Sequence, residues 1–144
     1  MTAPLPLVVD IPGPVVGKGR PRVVRRKNMP YPVAITPEKT VSAENRIAHE
    51  LALAWGQPPL DEPLSLDVEI RVPVPASKPK KFRAAALAGD ILPVGKPDLD
   101  NVLKLIGDSG NQVVWSDDSR FARIVMRRRY AEAPGMTITV DRAA

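Results

Sequence analysis

The chain has 144 residues, 44% of them hydrophobic, with no cysteine, one histidine and a net charge of +5 at a pI near 9.8. That length suits one domain with a buried core, so residues 1–144 are read as a single domain. The lack of cysteine excludes disulfides, thiolate zinc sites and cysteine nucleophiles, and the lone His49 leaves no triad or multi-histidine metal site to assemble. No apolar run reaches bilayer length and MTAPLPLVVDIPGP lacks the basic-then-apolar order of a signal peptide, so a cytoplasmic protein is expected.

In chain order, Leu5, Leu7, Val9 and Ile11 alternate with Pro6, Val8 and Asp10. This predicts a strand with one buried face, placed at a sheet edge because Pro6 donates no hydrogen bond. After Pro12-Gly13-Pro14, the stretch GKGRPRVVRRKNMPYP has no helical period and reads as a long basic loop or ribbon held close to a ligand. Thr36-Pro37 resembles a helix N-cap followed by proline at the first helical position. Ala43, Ile47, Leu51, Ala54 and Trp55 then recur at helical spacing, predicting an amphipathic helix that stops near Gly56.

Leu64, Leu66, Val68, Ile70, Val72 and Val74 give the clearest strand. Residues 75–96 read as a mobile connection with at most a helical turn in their alanine-rich part. Leu99, Val102, Leu103 and Ile106 predict a second helix, closed by the cluster Gly107-Asp108-Ser109-Gly110. Two last strands are expected around 121–130 and 136–141. The order β-α-β-α-β-β predicts an α+β domain, a mixed sheet packed against two helices.

The positive charges are clustered. Lys18, Arg20, Arg22, Arg25, Arg26 and Lys27 occur together without an acid, Lys78, Lys80, Lys81 and Arg83 form a second group, and Arg120, Arg123, Arg127, Arg128 and Arg129 a third. One such run is ordinarily a solvated face; three favour a polyanionic partner. Yet six of the sixteen acids lie between positions 90 and 118. Carboxylates repel phosphates unless they hold hard cations such as Mg²⁺ or Mn²⁺, which turn a repulsive patch into an attractive one.

In Asp98-Leu99-Asp100 the two carboxylates stand side by side if the segment is still extended. Capping by Asp98 and a favourable first-turn charge on Asp100 are an equally good reading of that pair alone. Asp100 and Lys104 share a helix face, where they would form an ion pair of roughly 0.2–0.5 kcal/mol, or Lys104 would face a scissile phosphate. Asp117 and Asp118 precede a strand, where aspartate is a common turn former. Neighbours entering a strand point to opposite faces, so one of them is expected to reach a metal and the other to support it.

These motifs together resemble the RusA family of Holliday-junction resolvases, common in prophages. KPDLDNVLK, then VVWSDDSR, then a basic strand ending at Tyr130 follow the family's order, and GKGRPR and AITPEKT extend the likeness over most of the chain. The resemblance implies a RusA-like fold and an Mg²⁺-dependent endodeoxyribonuclease, with Mn²⁺ as a substitute, that resolves four-way junctions by paired symmetric nicks. It also implies a homodimer on branched DNA, with no organic cofactor and no membrane partner. Carried over residue by residue, the catalytic and metal-holding aspartates are Asp98, Asp100 and Asp118, the catalytic lysine is Lys104, and Asp117 and Asp108 are supporting. Lys18, Arg20, Arg22, Arg25, Arg26, Lys27, Lys80 and Lys81 are assigned to DNA.

Two departures carry expectations of their own. In LIGDSGNQVVW, Asp108 is retained but Gly107 and Ser109-Gly110 are expected to shorten or loosen the helix end. Arg127, Arg128 and Arg129 stand where relatives often have lysine, which should preserve attraction for phosphate. Two other functions stand beside it: a metal-dependent nuclease acting on flaps, forks or RNA, which the same carboxylates would serve equally well, and a non-catalytic junction binder whose aspartates only cap helices and form turns.

Overall fold

In the computed structural model, which describes residues 4–19, 22–25, 27–35 and 38–143, the alternating segments pair into one four-stranded mixed sheet. Its strands are β1 (Leu7–Pro12), β4 (Leu64–Pro73), β5 (Phe121–Ala131) and β6 (Gly135–Arg142), in the order β1-β6-β4-β5. β6 runs antiparallel to both β1 and β4, and β5 runs parallel to β4. β1 is therefore an edge, as the proline before it suggested. Strand alternation sends Leu7, Val9 and Ile11, Leu64, Leu66, Val68 and Ile70, and Met136, Ile138 and Val140 to one face.

Two helices cover that face. α1 (Glu38–Trp55) contributes Ile47, Leu51 and Trp55, and α3 (Leu99–Gly110) contributes Val102, Leu105 and Ile106 to the same core. Each such side chain contributes about 1.5–3 kcal/mol of burial, so this layer is what orients α3 and everything mounted on it. α1 ends one residue before Gly56, whose φ of +59° is the left-handed conformation glycine adopts without a Cβ penalty. Among the described residues, no helix is long and apolar enough to cross a membrane.

The structure adds two elements to the expected order. The basic stretch is a two-stranded antiparallel ribbon, β2 (Arg22–Val24) and β3 (Val33–Ile35). Residues 75–96 hold a third helix, α2 (Lys80–Leu87), rather than a structureless connection. Its run of alanines is too short to show a period, and the helix gains its buried face from β5: Phe82 meets Tyr130 edge-on at 6.0 Å and Ala86 is buried. The sheet is packed against three helices, not two.

α3 also runs further than expected. The cluster Gly107-Asp108-Ser109-Gly110 forms its last turn instead of shortening it, and the helix closes at Gly110. Two glycines cost a helix interior about 1 kcal/mol each relative to alanine, but both are buried against neighbours that need the space. Ser109 Oγ donates to Leu105 O at 2.6 Å, and Trp115 Nε1 donates to Gly107 O at 3.1 Å. Packing and side-chain hydrogen bonds hold together a turn that propensity alone would fray.

The opposite face of the sheet carries a charged ladder. Arg71 reaches Asp10 at 2.5 Å and Thr137 at 2.7 Å, Arg129 reaches Glu69 at 2.9 Å, and Arg127 reaches Asp67 at 3.4 Å and Glu69 at 3.5 Å. The parallel register sets Glu69 beside Arg127, which explains the pairing. Arg127 and Arg129 are thus engaged by β4 carboxylates rather than free for phosphate, correcting that expectation.

Burial raises the pKa of the Glu69 carboxyl, but the hydrogen bonds and charges of Arg129 and Arg127 outweigh it and hold the group below its ordinary 4.5. Because the folded value is the lower one, this contribution is present above pH 4.5 and is lost as pH falls through the folded value. Urea unfolding followed from pH 6 down to about pH 3 should show Glu69→Gln with a shallower loss of stability than the parent. Equal slopes would remove the ladder from the protein's acid lability.

Candidate active site

Asp98 follows Pro97 and occupies the N-cap position of α3, with extended φ/ψ of −68° and 138°. Its backbone carbonyl accepts from Val102 N at 3.1 Å, yet its side chain makes no capping hydrogen bond. Capping accounts for the backbone of Asp98 and leaves its carboxylate without that role. Asp100 is exposed in the first turn, where the helix dipole favours an anion. Among the described residues, Asp100 and Lys104 form no ion pair, although both are exposed on one face.

Asp117 and Asp118 enter a 3-10 turn (Asp118–Arg120) ahead of β5, not the strand itself. Asp117 caps that turn, accepting from Ser119 N at 3.0 Å, and hydrogen bonding by Ser119 holds its carboxyl below the usual range. Asp118 lies against α3: a Cβ placed on Gly107 would sit 3.2 Å from both Cβ and Oδ2 of Asp118. Gly107 is two helical turns beyond Asp100 and three residues beyond Lys104, so Asp100, Lys104 and Asp118 share one face of α3. The turn is fixed from behind by fully buried Trp115, which donates to Gly107 O and Asn111 Oδ1, both at 3.1 Å, and meets Phe121 edge-on at 4.8 Å.

The basic stretch is fastened to the same helix. Lys18 N donates to Asn101 O at 3.0 Å, and a Cβ on Gly17 would sit 2.7 Å from Asn101 Cβ, so only glycine allows this approach. The Lys18 ammonium is ion-paired with Asp108 and lies 3.8 Å from Glu44. The hydrogen bond to Asp108 raises its pKa above 10.5. Gly19 N donates to Thr40 Oγ1 of α1 at 2.8 Å. Between residues 15–19 and the start of α3 lies a groove of about 410 Å³, whose lining includes Lys96, Pro97, Asp98 and Asn101.

The remaining predicted contacts are divided. Arg20 and Arg26 lie outside the described residues, as does Thr36-Pro37, and Arg22 is described by its backbone in β2. Arg25, Lys27, Lys80 and Lys81 are exposed and unpaired among the described residues. Arg120 is bound instead to Asp61 at 2.8 Å, and Asp61 also accepts from Ser116 Oγ at 2.6 Å. Hydrogen bonds from Ser116 and then Arg120 hold the Asp61 carboxyl below its ordinary range. Asp98, Asp100 and Asp118 offer only oxygen, the donor that Mg²⁺ and Mn²⁺ take. Among the described residues no three His, Cys, Asp or Glu side chains converge as a metal cluster.

A family model described as Endodeoxyribonuclease RusA matches residues 12–141. The chain belongs to the RusA family. It is also similar to the protein YqaN of Bacillus subtilis (strain 168), described as uncharacterized. The two are 28% identical over 130 residues, covering 89% of this chain and 90% of the relative. RusA membership implies an endodeoxyribonuclease, hence a hydrolase, acting on Holliday junctions. The RusA match begins at the end of β1 and closes within β6, so it takes in the groove loop, α3 and the Asp118 turn.

Three features of this candidate site were not read from the sequence: the Lys18–Asp108 pair, the Asp61 anchor of the Asp118 turn, and Arg128. Arg128 Nη1 donates to Gly95 O at 2.5 Å and Pro97 O at 3.0 Å, holding the segment that leads into Asp98. Each joins residues more than thirty positions apart, and no local pattern announces such a partner.

Proposed function

We propose that this RusA protein resolves four-way DNA junctions by Mg²⁺-dependent phosphodiester hydrolysis, with one active site in each subunit of a homodimer making paired symmetric nicks. The observation that carries this reading is the placement of Asp98 and Asp100 at the start of α3, beside an open groove, and of Asp118 against Gly107 of the same helix, with none of the three in an ion pair among the described residues. Asp98, Asp100 and Asp118 would hold Mg²⁺ or Mn²⁺, which when bound supplies positive charge and a water of lowered pKa.

The chain's own residues do the rest. Lys104 offsets negative charge on the phosphate from the same helix face, and among the described residues no carboxylate pairs with its ammonium. Asp117 holds the turn that presents Asp118, and Asp108 holds Lys18 and with it one wall of the groove. Arg25 and Lys27 near the ribbon, with Lys80 and Lys81 on α2, grip phosphates through counterion release. Arg20, Arg22 and Arg26 are assigned to the same DNA contact by their place in the sequence. The two-fold symmetry of a four-way junction fits a two-fold protein.

The test compares a fixed four-way junction, a flap and a linear duplex, each with Mg²⁺ and with EDTA. Paired symmetric nicks should form on the junction alone, and only with Mg²⁺. Equal cutting of the flap, or cutting in EDTA, would overturn the reading. In the same assay, Lys80→Ala combined with Lys81→Ala should flatten the plot of log affinity against log salt by about 1–2 units. An unchanged slope would remove α2 from the DNA contact.

A further inference from the structure

The segment joining α2 to α3 combines a pinned backbone with a displayed apolar tip. Pro93 is buried, and Arg128 holds the carbonyls of Gly95 and Pro97. On either side of Pro93, Leu92 is 62% exposed and Val94, which lies between Pro93 and Gly95, is 87% exposed. A single exposed leucine needs no explanation. Two neighbouring apolar side chains on a backbone tied at three points cannot easily turn inward, and their position makes the display informative. Val94 lies four residues before Asp98, and Lys96, which lines the groove, stands between them.

A protein partner fits this tip poorly. A stable protein interface buries about 800 Å² on each side, far more than two small side chains offer, and the surroundings are charged. DNA fits better, because the adjacent cation and groove already favour a phosphodiester. Intact duplex offers such a tip only stacked bases behind a charged backbone. A branch point offers base faces that have lost a stacking neighbour, and apolar side chains are the chemistry proteins place against opened base steps.

We infer that Leu92 and Val94 form an apolar finger that packs on the base exposed at a DNA branch point, seating the neighbouring phosphate beside Asp98. This rests on the nuclease reading above and deepens it, since it makes the branch, rather than charge alone, what the site recognises. Arg128 acts through the loop as a positioning residue and touches no DNA in this arrangement.

The test uses the full chain carrying Asp100→Asn, which should bind without cutting, and a four-way junction with 2-aminopurine beside the branch. Binding should raise the fluorescence, and adding Leu92→Ala with Val94→Ala should remove at least about half of that rise while affinity changes little. Leu92→Met with Val94→Ile, which keeps the apolar surface, should retain the rise. In protein with Asp100 intact, the alanine pair should slow junction cleavage by roughly tenfold. An unchanged fluorescence rise and cleavage rate in the alanine pair would overturn the finger while leaving the nuclease reading standing. A change in the pair's oligomeric state by sedimentation would also overturn it, by placing the tip in a protein interface. A parent protein that neither binds nor cuts branched DNA would overturn both.

Discussion

Asp100→Asn is expected to bind a four-way junction about as tightly as the parent and to cut it at least about a hundredfold more slowly. The substitution keeps the shape of the side chain and removes its charge. Asp100 is exposed, in the first turn of α3, and has no ion pair among the described residues, so little of the fold depends on it. Its favourable interaction with the helix dipole is about 0.3–1 kcal/mol, which bounds the loss of stability. If the carboxylate were only a first-turn charge, the variant would show that small loss and an unchanged rate.

The two readings of the pair Asp98 and Asp100 therefore separate on one measurement. Single-turnover cleavage across an Mg²⁺ series, beside a gel shift in Ca²⁺, reports rate and affinity independently. A rate equal to the parent's would reject Asp100 as a metal ligand, whatever the resemblance of its motif.

Much of the scaffold could be read locally because strand and helix periods are properties of neighbours. The alternation from Leu64 to Val72 and the stop at Gly56 needed no distant information, and both match the structure. α2 escaped because its alanines carry no period and its packing partner, Tyr130, lies 48 positions from Phe82. α3 was cut short because glycine ordinarily ends helices. Here Gly107 and Gly110 admit Asp118 and Trp115, a requirement set by residues from another element.

The site was legible in its residue types and less so in its geometry. Adjacent aspartates were expected to diverge as strand neighbours do. In the structure a 3-10 turn stands there in place of the strand, with Asp117 bonded to Ser119 and Asp118 against Gly107. Charge counting was the weakest guide. It treated Lys18, Arg120, Arg127 and Arg129 as equivalent to Lys80 and Lys81, whereas the first four sit in ion pairs that depend on register and tertiary approach. Which cations face DNA is therefore a question of which ones the acids leave unpaired.

Gly110→Ala should produce the largest loss of stability of any single methyl added to α3. Gly110 is buried at the end of α3, and an added Cβ would lie 2.1 Å from Cζ2 and 2.4 Å from Cη2 of Trp115. Trp115 cannot swing away cheaply, because it is fully buried and its Nε1 is bonded to Gly107 O and Asn111 Oδ1. Alanine would gain about 1 kcal/mol of helix propensity. Overpacking of a rigid core costs about 1–3 kcal/mol and more where neither side can yield, so the clash wins. A thermal melt should show a fall of roughly 5–10 °C. A variant as stable as the parent would mean that Trp115 does not pack on Gly110, and would displace with it the turn that brings Asp118 to α3.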